Sequence, residues 1–313
     1  MIKRPISKGD SERKAPVSRR QRMKTNDNSF LPGRGLTKKN DVRTYPKLRK
    51  NTSKTGSEDY SAQGIRINKY LADAGLGSRR RVEELIIEGV VKVNRKAATD
   101  LSVRIMPGDF VTVMGEPVSD RKVFTYILLN KPKDIITTVS DELGRATVMD
   151  IVRKEVRIYP VGRLDRNTTG ALILTNDGEL AYRLTHPKYE VPRVYNVVLD
   201  APLDLRDAAS ISRGIELEDG ITGECEVLVN PEDRRKVALG IREGRNREVR
   251  RIFESLGYEV QRLDRKSFAT LTTRGLARGE YRNLTQKEIL ELKKLVGLHT
   301  KYETSRKRKS RHE

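Results

Sequence analysis

VGRLDRNTTGALILTNDG occupies residues 161–178. An apolar lead-in gives way to Gly162-Arg163-Leu164-Asp165, then to a polar turn, then to Gly170 and the apolar run ALILT, which reads as a strand. Asn176-Asp177-Gly178 closes that strand with turn chemistry. Asp165 therefore sits on a loop between apolar elements, where a carboxylate can face a cleft. Loops held by a rigid scaffold are favoured places for chemistry. A lone Asp in such a place is, in an arbitrary sequence, more often a turn or cap residue bonded to local amides.

N-terminal to this stretch, VFTYILLNKP reads as a strand ended by Lys131-Pro132. On the C-terminal side, RVYNVVL reads as a strand carrying Tyr195, by itself an ordinary half-buried tyrosine. Residues 247–257 predict a helix: Val249, Ile252, Phe253 and Leu256 form an apolar stripe and Gly257 terminates it. Arg245, Arg247, Arg250 and Arg251 crowd its start, and a solvated basic face accounts for most of them. Cys225 reads as a strand residue and not a nucleophile, and His186, ahead of Pro187 in a loop, has no ligand partner in view.

Further out, the apolar pattern begins at Ile65. Ile67, Leu71 and Ala74 recur at helical spacing before Gly75-Leu76-Gly77 breaks the helix. Ser78 caps a second helix, Arg79 to Glu88, with Val82, Leu85 and Ile86 inward and Gly89 beyond its end. VVKVN, a turn at Asn94-Arg95-Lys96, and DFVTV after Pro107-Gly108 complete a small module of two helices and a hairpin. Arg79, Arg80 and Arg81 fill the first turn of its second helix, where the macrodipole favours anions. Three cations there are unfavourable unless a polyanion meets them; the plain alternative is a solvated face.

The 313 residues carry 64 Lys+Arg against 43 Asp+Glu, a net charge of +21, which suits nucleic acid. Residues 1–64 hold 17 basic and 6 acidic side chains, a net +11, and residues 299–313 a net +4. Neither tail has the apolar content to bury a core. They are expected to be disordered, either as solubilising appendages or as electrostatic arms that bind RNA through counterion release. KRKSR at 307–311 matches a localisation signal only weakly. A single Cys excludes an internal disulfide framework and a cysteine-based zinc site, and three His make a His-rich metal site improbable. No run approaches the roughly 18 apolar residues of a membrane span, and MIKRPISKGDSERK lacks the apolar stretch of a signal peptide, so a cytoplasmic protein is expected. Neither a GxxxxGK[ST] nor a GxGxxG after a strand is present, and no cofactor or metal is expected.

Two resemblances sharpen this reading. IRINKYLADAGLGSRRRVEELIIEGVVKVN resembles the S4 RNA-binding domain nearly end to end, which implies docking on structured RNA. GRLDxxTxG followed by LxLTNDG resembles the active-site motif of pseudouridine synthases of the RsuA/RluB type, in which an S4 domain also comes first. LNKP (129–132), GRATVMDIV (144–152), RVYNV (193–197), EGRNREVRRIFESLGYEV (243–260) and RGEYRNLT (278–285) match as well. Two departures stand out: Lys133-Asp134 where a Lys-Pro-x-Gly run is usual, and Ala171 where a larger apolar residue is common. Asp does not favour the backbone angles that Gly permits, so the first departure could change a loop.

The resemblance implies an α+β chain: a tail at 1–64, an S4 domain at 65–117, a catalytic domain with a mixed, largely antiparallel sheet at 122–298, and a second tail at 299–313. It implies isomerisation of uridine to pseudouridine in ribosomal RNA, with the large-subunit branch favoured and the target base flipped out of its stack. Asp165 is then the reacting carboxylate and Tyr195 stacks on the base. Arg250 pairs with Asp165 and keeps it ionised. Arg163 holds a phosphate or the loop, and Arg79, Arg80, Arg81, Lys131, Arg245 and Arg247 are expected to contact RNA. Ribosomal RNA is the expected partner and a monomer the expected state. Two rival functions fit the same scaffold less well. A non-catalytic ribosome-assembly factor would be free to lose Asp165, Tyr195 or Arg250, and all three are present. A hydrolase needs a second carboxylate roughly 5–10 Å from the first, and the nearest in sequence, Asp177, reads better as part of a turn.

Overall fold

In the computed structural model the described residues are 64–118, 123–153 and 156–298. The expectation of disorder in the tails concerns residues 1–63 and 299–313, which lie outside the described residues. No described helix is long and apolar enough to cross a membrane.

The first module follows its apolar spacing. Helix α1 (Ile67–Asp73) buries Ile67, Tyr70 and Leu71, and helix α2 (Arg79–Ile87) buries Val82, Leu85 and Ile86. The Ser78 side chain accepts from the Arg81 amide at 3.1 Å and caps α2, as its position predicts. Strands β1 (Val91–Val93), β2 (Lys96–Ala97), β3 (Val111–Val113) and β4 (Glu116–Pro117) form an antiparallel sheet in the order β2-β1-β3-β4. Asn94 and Arg95 both take positive φ, 50° and 68°, in the tight turn between β1 and β2. The sheet and the helices share one small core with Val91, Ile105 and Val111.

The second region is built on one large sheet. Its main path is β8 (Glu226–Val229), β9 (Lys236–Ile241), β7 (Arg193–Leu199), β10 (Val260–Phe268), β6 (Thr168–Thr175), β5 (Tyr126–Lys131) and β11 (Tyr281–Asn283). Only β10 and β6 run parallel; every other pair is antiparallel. The central strands are near-continuous apolar runs because both faces are covered. Ile127, Leu129, Leu172 and Leu174 pack on one face with Ile252 and Phe253 of helix α5 (Glu248–Glu254) and Ile211 of α4 (Leu205–Arg213). Tyr126, Leu128, Ala171 and Ile173 pack on the other with Leu180 and Leu184 of helix α3 (Gly178–Thr185) and Leu292 of α6 (Gln286–Leu295). The mixed, largely antiparallel α+β architecture is as expected.

Two local readings are corrected. Asn176-Asp177-Gly178 does more than turn the chain: the Asp177 carboxylate accepts from the Leu180 amide at 3.1 Å and opens α3. It also accepts from the Tyr126 hydroxyl at 2.8 Å and lies 3.3 Å from Lys293 Nζ, so this buried carboxylate is fully engaged in the core. Helix α5 is shorter than the 247–257 reading: it starts at Glu248, because Arg247 stands in the left-handed region at φ 47°, and ends at Glu254, with residues 255–257 in a turn.

Candidate active site

One row of residues in register crosses the sheet and assembles the site. Lys131 of β5 is paired with Gly170 of β6, Gly170 with Arg265 of β10, and Arg265 with Tyr195 of β7. Gly170 permits this closeness: with φ 110°, a Cβ there would overlap the Arg265 carbonyl oxygen. The loop 162–167 enters at the N-terminal end of β6 and carries Asp165.

That loop is held by a buried ammonium. Lys131 is fully buried, and its Nζ donates to the carbonyls of Pro132 (3.1 Å), Asp165 (3.1 Å), Arg166 (3.2 Å) and Thr168 (3.0 Å). Burial pushes the Lys131 ammonium down to about 8, and the nearby Asp165 and Asp134 carboxylates oppose the shift. Thr137 Oγ1 donates to the Leu164 carbonyl at 2.8 Å, and the Asp134 amide donates to the Arg166 carbonyl at 2.9 Å. Asp134 takes φ 66° where the resembling motif has glycine, so the loop keeps a glycine-like conformation around an aspartate. Its carboxylate lies 3.4 Å from Arg166 Nε.

Asp165 projects from this fixed loop with its side chain 41% exposed. Arg250 Nε lies 3.8 Å and Arg247 Nη1 3.9 Å from its Oδ2. The cavity beside it, about 150 Å³, is walled by Arg163, Thr168, Arg193, Tyr195, Arg265 and Phe268 among others. Asp165, Tyr195 and Arg250, singled out in the sequence, thus meet at one place. Arg163 is exposed at the cavity's lining. Arg79 and Arg80 are exposed on α2. Arg81 is exposed too, but pairs with Glu84 at 2.6 Å.

One expected RNA contact is corrected. Lys131 has no surface to offer RNA, because its four carbonyl partners enclose it. Arg245 lines the cavity half-buried: its Nε meets Glu243 at 2.6 Å, and its Nη atoms donate to the Gly220 and Ile221 carbonyls at 2.8 and 2.6 Å. It ties the 219–221 turn to the loop before α5.

The sequence reading missed Arg193, Arg265 and Phe268. Arg193 is 7% exposed, and its guanidinium donates to the carbonyls of Glu243 and Leu184. Burial lowers its proton affinity, though not enough to discharge an arginine. The Phe268 ring lies 5.4 Å from the Arg193 guanidinium carbon and 4.6 Å from that of Arg265. A signal was available: RVYNVVL alternates buried and half-buried positions, which puts Arg193 in phase with Tyr195, Val197 and Leu199.

Comparison with known proteins agrees with this geometry. A family model for RNA pseudouridylate synthase matches residues 125–255, and the S4 domain model matches residues 65–111. The chain is 43% identical over 236 residues to ribosomal large subunit pseudouridine synthase B of Bacillus subtilis (strain 168), covering 74% of this chain and 96% of that protein. It is 33% identical to the dual-specificity RNA pseudouridine synthase RluF of Escherichia coli (strain K12), over 74% of this chain and 79% of the relative. A crystal structure of a pseudouridylate synthase superposes with TM-score 0.54 at 30% identity, covering 73% of this chain and all of the other. With an S4 module ahead of a domain whose cavity is lined by Asp165, Tyr195 and Arg250, this chain belongs to the RNA pseudouridine synthase family.

Proposed function

We propose that this protein converts a specific uridine of ribosomal RNA, in the large subunit, to pseudouridine, with Asp165 as the reacting carboxylate. The observation that carries this reading is Asp165 Oδ2 lying within 3.9 Å of two arginines at the edge of a cavity walled by Tyr195. The similarity to a relative named for the large ribosomal subunit supports the choice of RNA.

The reaction breaks N1–C1′, turns the base and joins C5 to C1′. It is redox-neutral, and one carboxylate suffices, as a nucleophile or by assisting glycosidic cleavage. Asp165 stands on a loop fixed from beneath by Lys131, so its approach to the flipped nucleotide is set before RNA arrives. Arg250 and Arg247 stand within 3.9 Å of its Oδ2 and hold positive charge beside it in a site that RNA closes. Tyr195 stacks on the uracil, and its hydroxyl relays a proton. Arg163, exposed beside the cavity, takes a backbone phosphate of the flipped nucleotide. Residues 65–117 serve as the docking module, presenting Arg79, Arg80 and Arg81 to structured RNA, and residues 122–298 carry the chemistry. The protein acts in the cytoplasm as a monomer. The test is to map pseudouridines in rRNA from cells with and without the gene. Loss of a single large-subunit site is the expected result, and an unchanged map would overturn the reading.

A further inference from the structure

Buried polar atoms in folded proteins nearly always have partners. Among the described residues three buried side-chain atoms lack one: Thr168 Oγ1, Arg250 Nε and Arg265 Nη2. All three residues line the cavity beside Asp165. The Thr168 hydroxyl can rotate, and Arg250 Nε already looks toward Asp165. Arg265 has no such outlet. Its residue is 3% exposed, its Nε is committed to the Ala171 carbonyl at 2.8 Å, and its face lies over Phe268. It makes no ion pair among the described residues, and its charged neighbours Arg193 and Lys131 are cations. A full positive charge is thus oriented from two sides with its buried Nη2 left without an acceptor, an unfavourable arrangement unless a visitor to the cavity accepts the bond.

The visitor's chemistry is narrow. Phosphates are met outside, by the exposed Arg163 and the partly exposed Arg247. Arg265 lies deep, directly across the strand pair from Tyr195, where the base is expected to stack. Uracil presents a carbonyl oxygen at position 4, whereas cytosine presents an amino group that would set donor against donor. Position 4 also gains charge during the reaction. When N1–C1′ breaks, the electron pair stays on N1 and is shared through C6=C5–C4 onto O4. If a carboxylate first adds at C6, the C5=C6 pair moves onto O4 instead, and the adduct later releases the carboxylate. When C5 joins C1′ the pair forms the new bond; C5 then loses its hydrogen as a proton and N1 gains one, with no net change in electrons.

Building on the uridine-isomerising reading above, we propose that Arg265 Nη2 donates a hydrogen bond to O4 of the flipped uracil, selecting uridine over cytidine and holding the charge that O4 acquires. Such a bond strengthens as the reaction proceeds and so acts on the transition state more than on binding.

The test pairs a change in the enzyme with a change in the substrate. Single-turnover rates are measured for the full chain and for Arg265→Gln and Arg265→Lys, on an rRNA fragment carrying uridine, 4-thiouridine or 2-thiouridine at the mapped target. Sulfur accepts hydrogen bonds poorly, so the wild type should lose more rate with 4-thiouridine than with 2-thiouridine. In Arg265→Gln the sensitivity to 4-thio substitution should shrink by about 10-fold or more, the scale of a hydrogen bond to a charged group. A role confined to holding the sheet would slow all three substrates in parallel and leave that ratio unchanged, which would overturn the proposal. If neither variant folds, the wild-type comparison decides: a greater loss with 2-thiouridine, or equal losses, places the contact elsewhere. Failure of the wild type to turn over unmodified rRNA would instead overturn the functional reading itself, and the Arg265 assignment with it.

Discussion

Arg250 Nε stands 3.8 Å from Asp165 Oδ2, while Nη1 of the same guanidinium donates to the Val260 carbonyl at 3.0 Å. The arginine is thus anchored on strand β10 and only faces the carboxylate. Asp165 receives its field without being locked in a bidentate pair, and its oxygens stay open to a substrate.

Asp165→Ala and Asp165→Asn should both abolish pseudouridine formation and leave RNA affinity nearly unchanged. The side chain makes no hydrogen bond that supports the loop, whereas its backbone carbonyl does. An amide is neither nucleophile nor base. Substantial turnover of rRNA by either variant would remove Asp165 from the chemistry.

Tyr195→Phe should bind RNA as the wild type does but lose turnover, because the ring remains and only the hydroxyl is gone. Tyr195→Ala should also weaken docking of the base by about 1–3 kcal/mol, the scale of one stacking contact. Equal rates for the wild type and both variants would return this tyrosine to an ordinary strand role.

Lys131→Met should lower thermal stability by about 2–5 kcal/mol, because four carbonyls lose their shared donor inside the protein. Activity at temperatures where the variant is still folded should fall as well, since the Asp165 loop loses its anchor. A thermal melt together with single-turnover rates checks both; a variant as stable as the wild type would refute the anchoring role.

Replacing Arg79, Arg80 and Arg81 together by Ala should weaken RNA binding and flatten its dependence on salt. For every phosphate that is no longer neutralised, the log–log slope falls by about 0.7–0.9. Arg81 should contribute least, because Glu84 already holds it at 2.6 Å. Titrations at several salt concentrations would report an unchanged slope if this face does not meet RNA.

Stability should also depend on acid through Glu288. Hydrogen bonds from Arg282, at 2.7 and 2.8 Å, and from the Thr285 cap hold its carboxyl down from 4.5 to about 2. A carboxyl depressed in the folded state stabilises the fold above its unfolded value, and this contribution fades as pH falls from about 4.5 to 2. Glu288→Gln should therefore be less stable than wild type by about 1 kcal/mol near pH 7, a modest figure because Arg282 is partly solvated. The two proteins should converge in melts near pH 2; a constant difference across that range would contradict the ionic account.

The sequence made the elements legible wherever apolar period and punctuation agreed. Ser78, Gly89 and the Val82-Leu85-Ile86 stripe bounded α2 without help from the rest of the chain. The acidic centre was legible through its motif. Lys131 was misread because a cation's sign says nothing of what encloses it: this one is buried at the end of β5 among four carbonyls. Arg265 escaped notice because its importance arises from register. Its neighbours across the sheet, Gly170 and Tyr195, lie 95 and 70 residues away along the chain.

The ammonium beneath the Asp165 loop has a consequence for which uridines are modified fastest. The loop's shape is settled by bonds within the protein, so little rearrangement is left to the enzyme when a nucleotide arrives. The cost of meeting falls on the RNA, which must melt locally to release its base. Among uridines in an acceptable surrounding sequence, those in bulges, loops or beside mismatches should therefore react ahead of those in firm duplex. The ribosomal precursor's own folding would then act as a timer, opening or withdrawing the target as pairing matures.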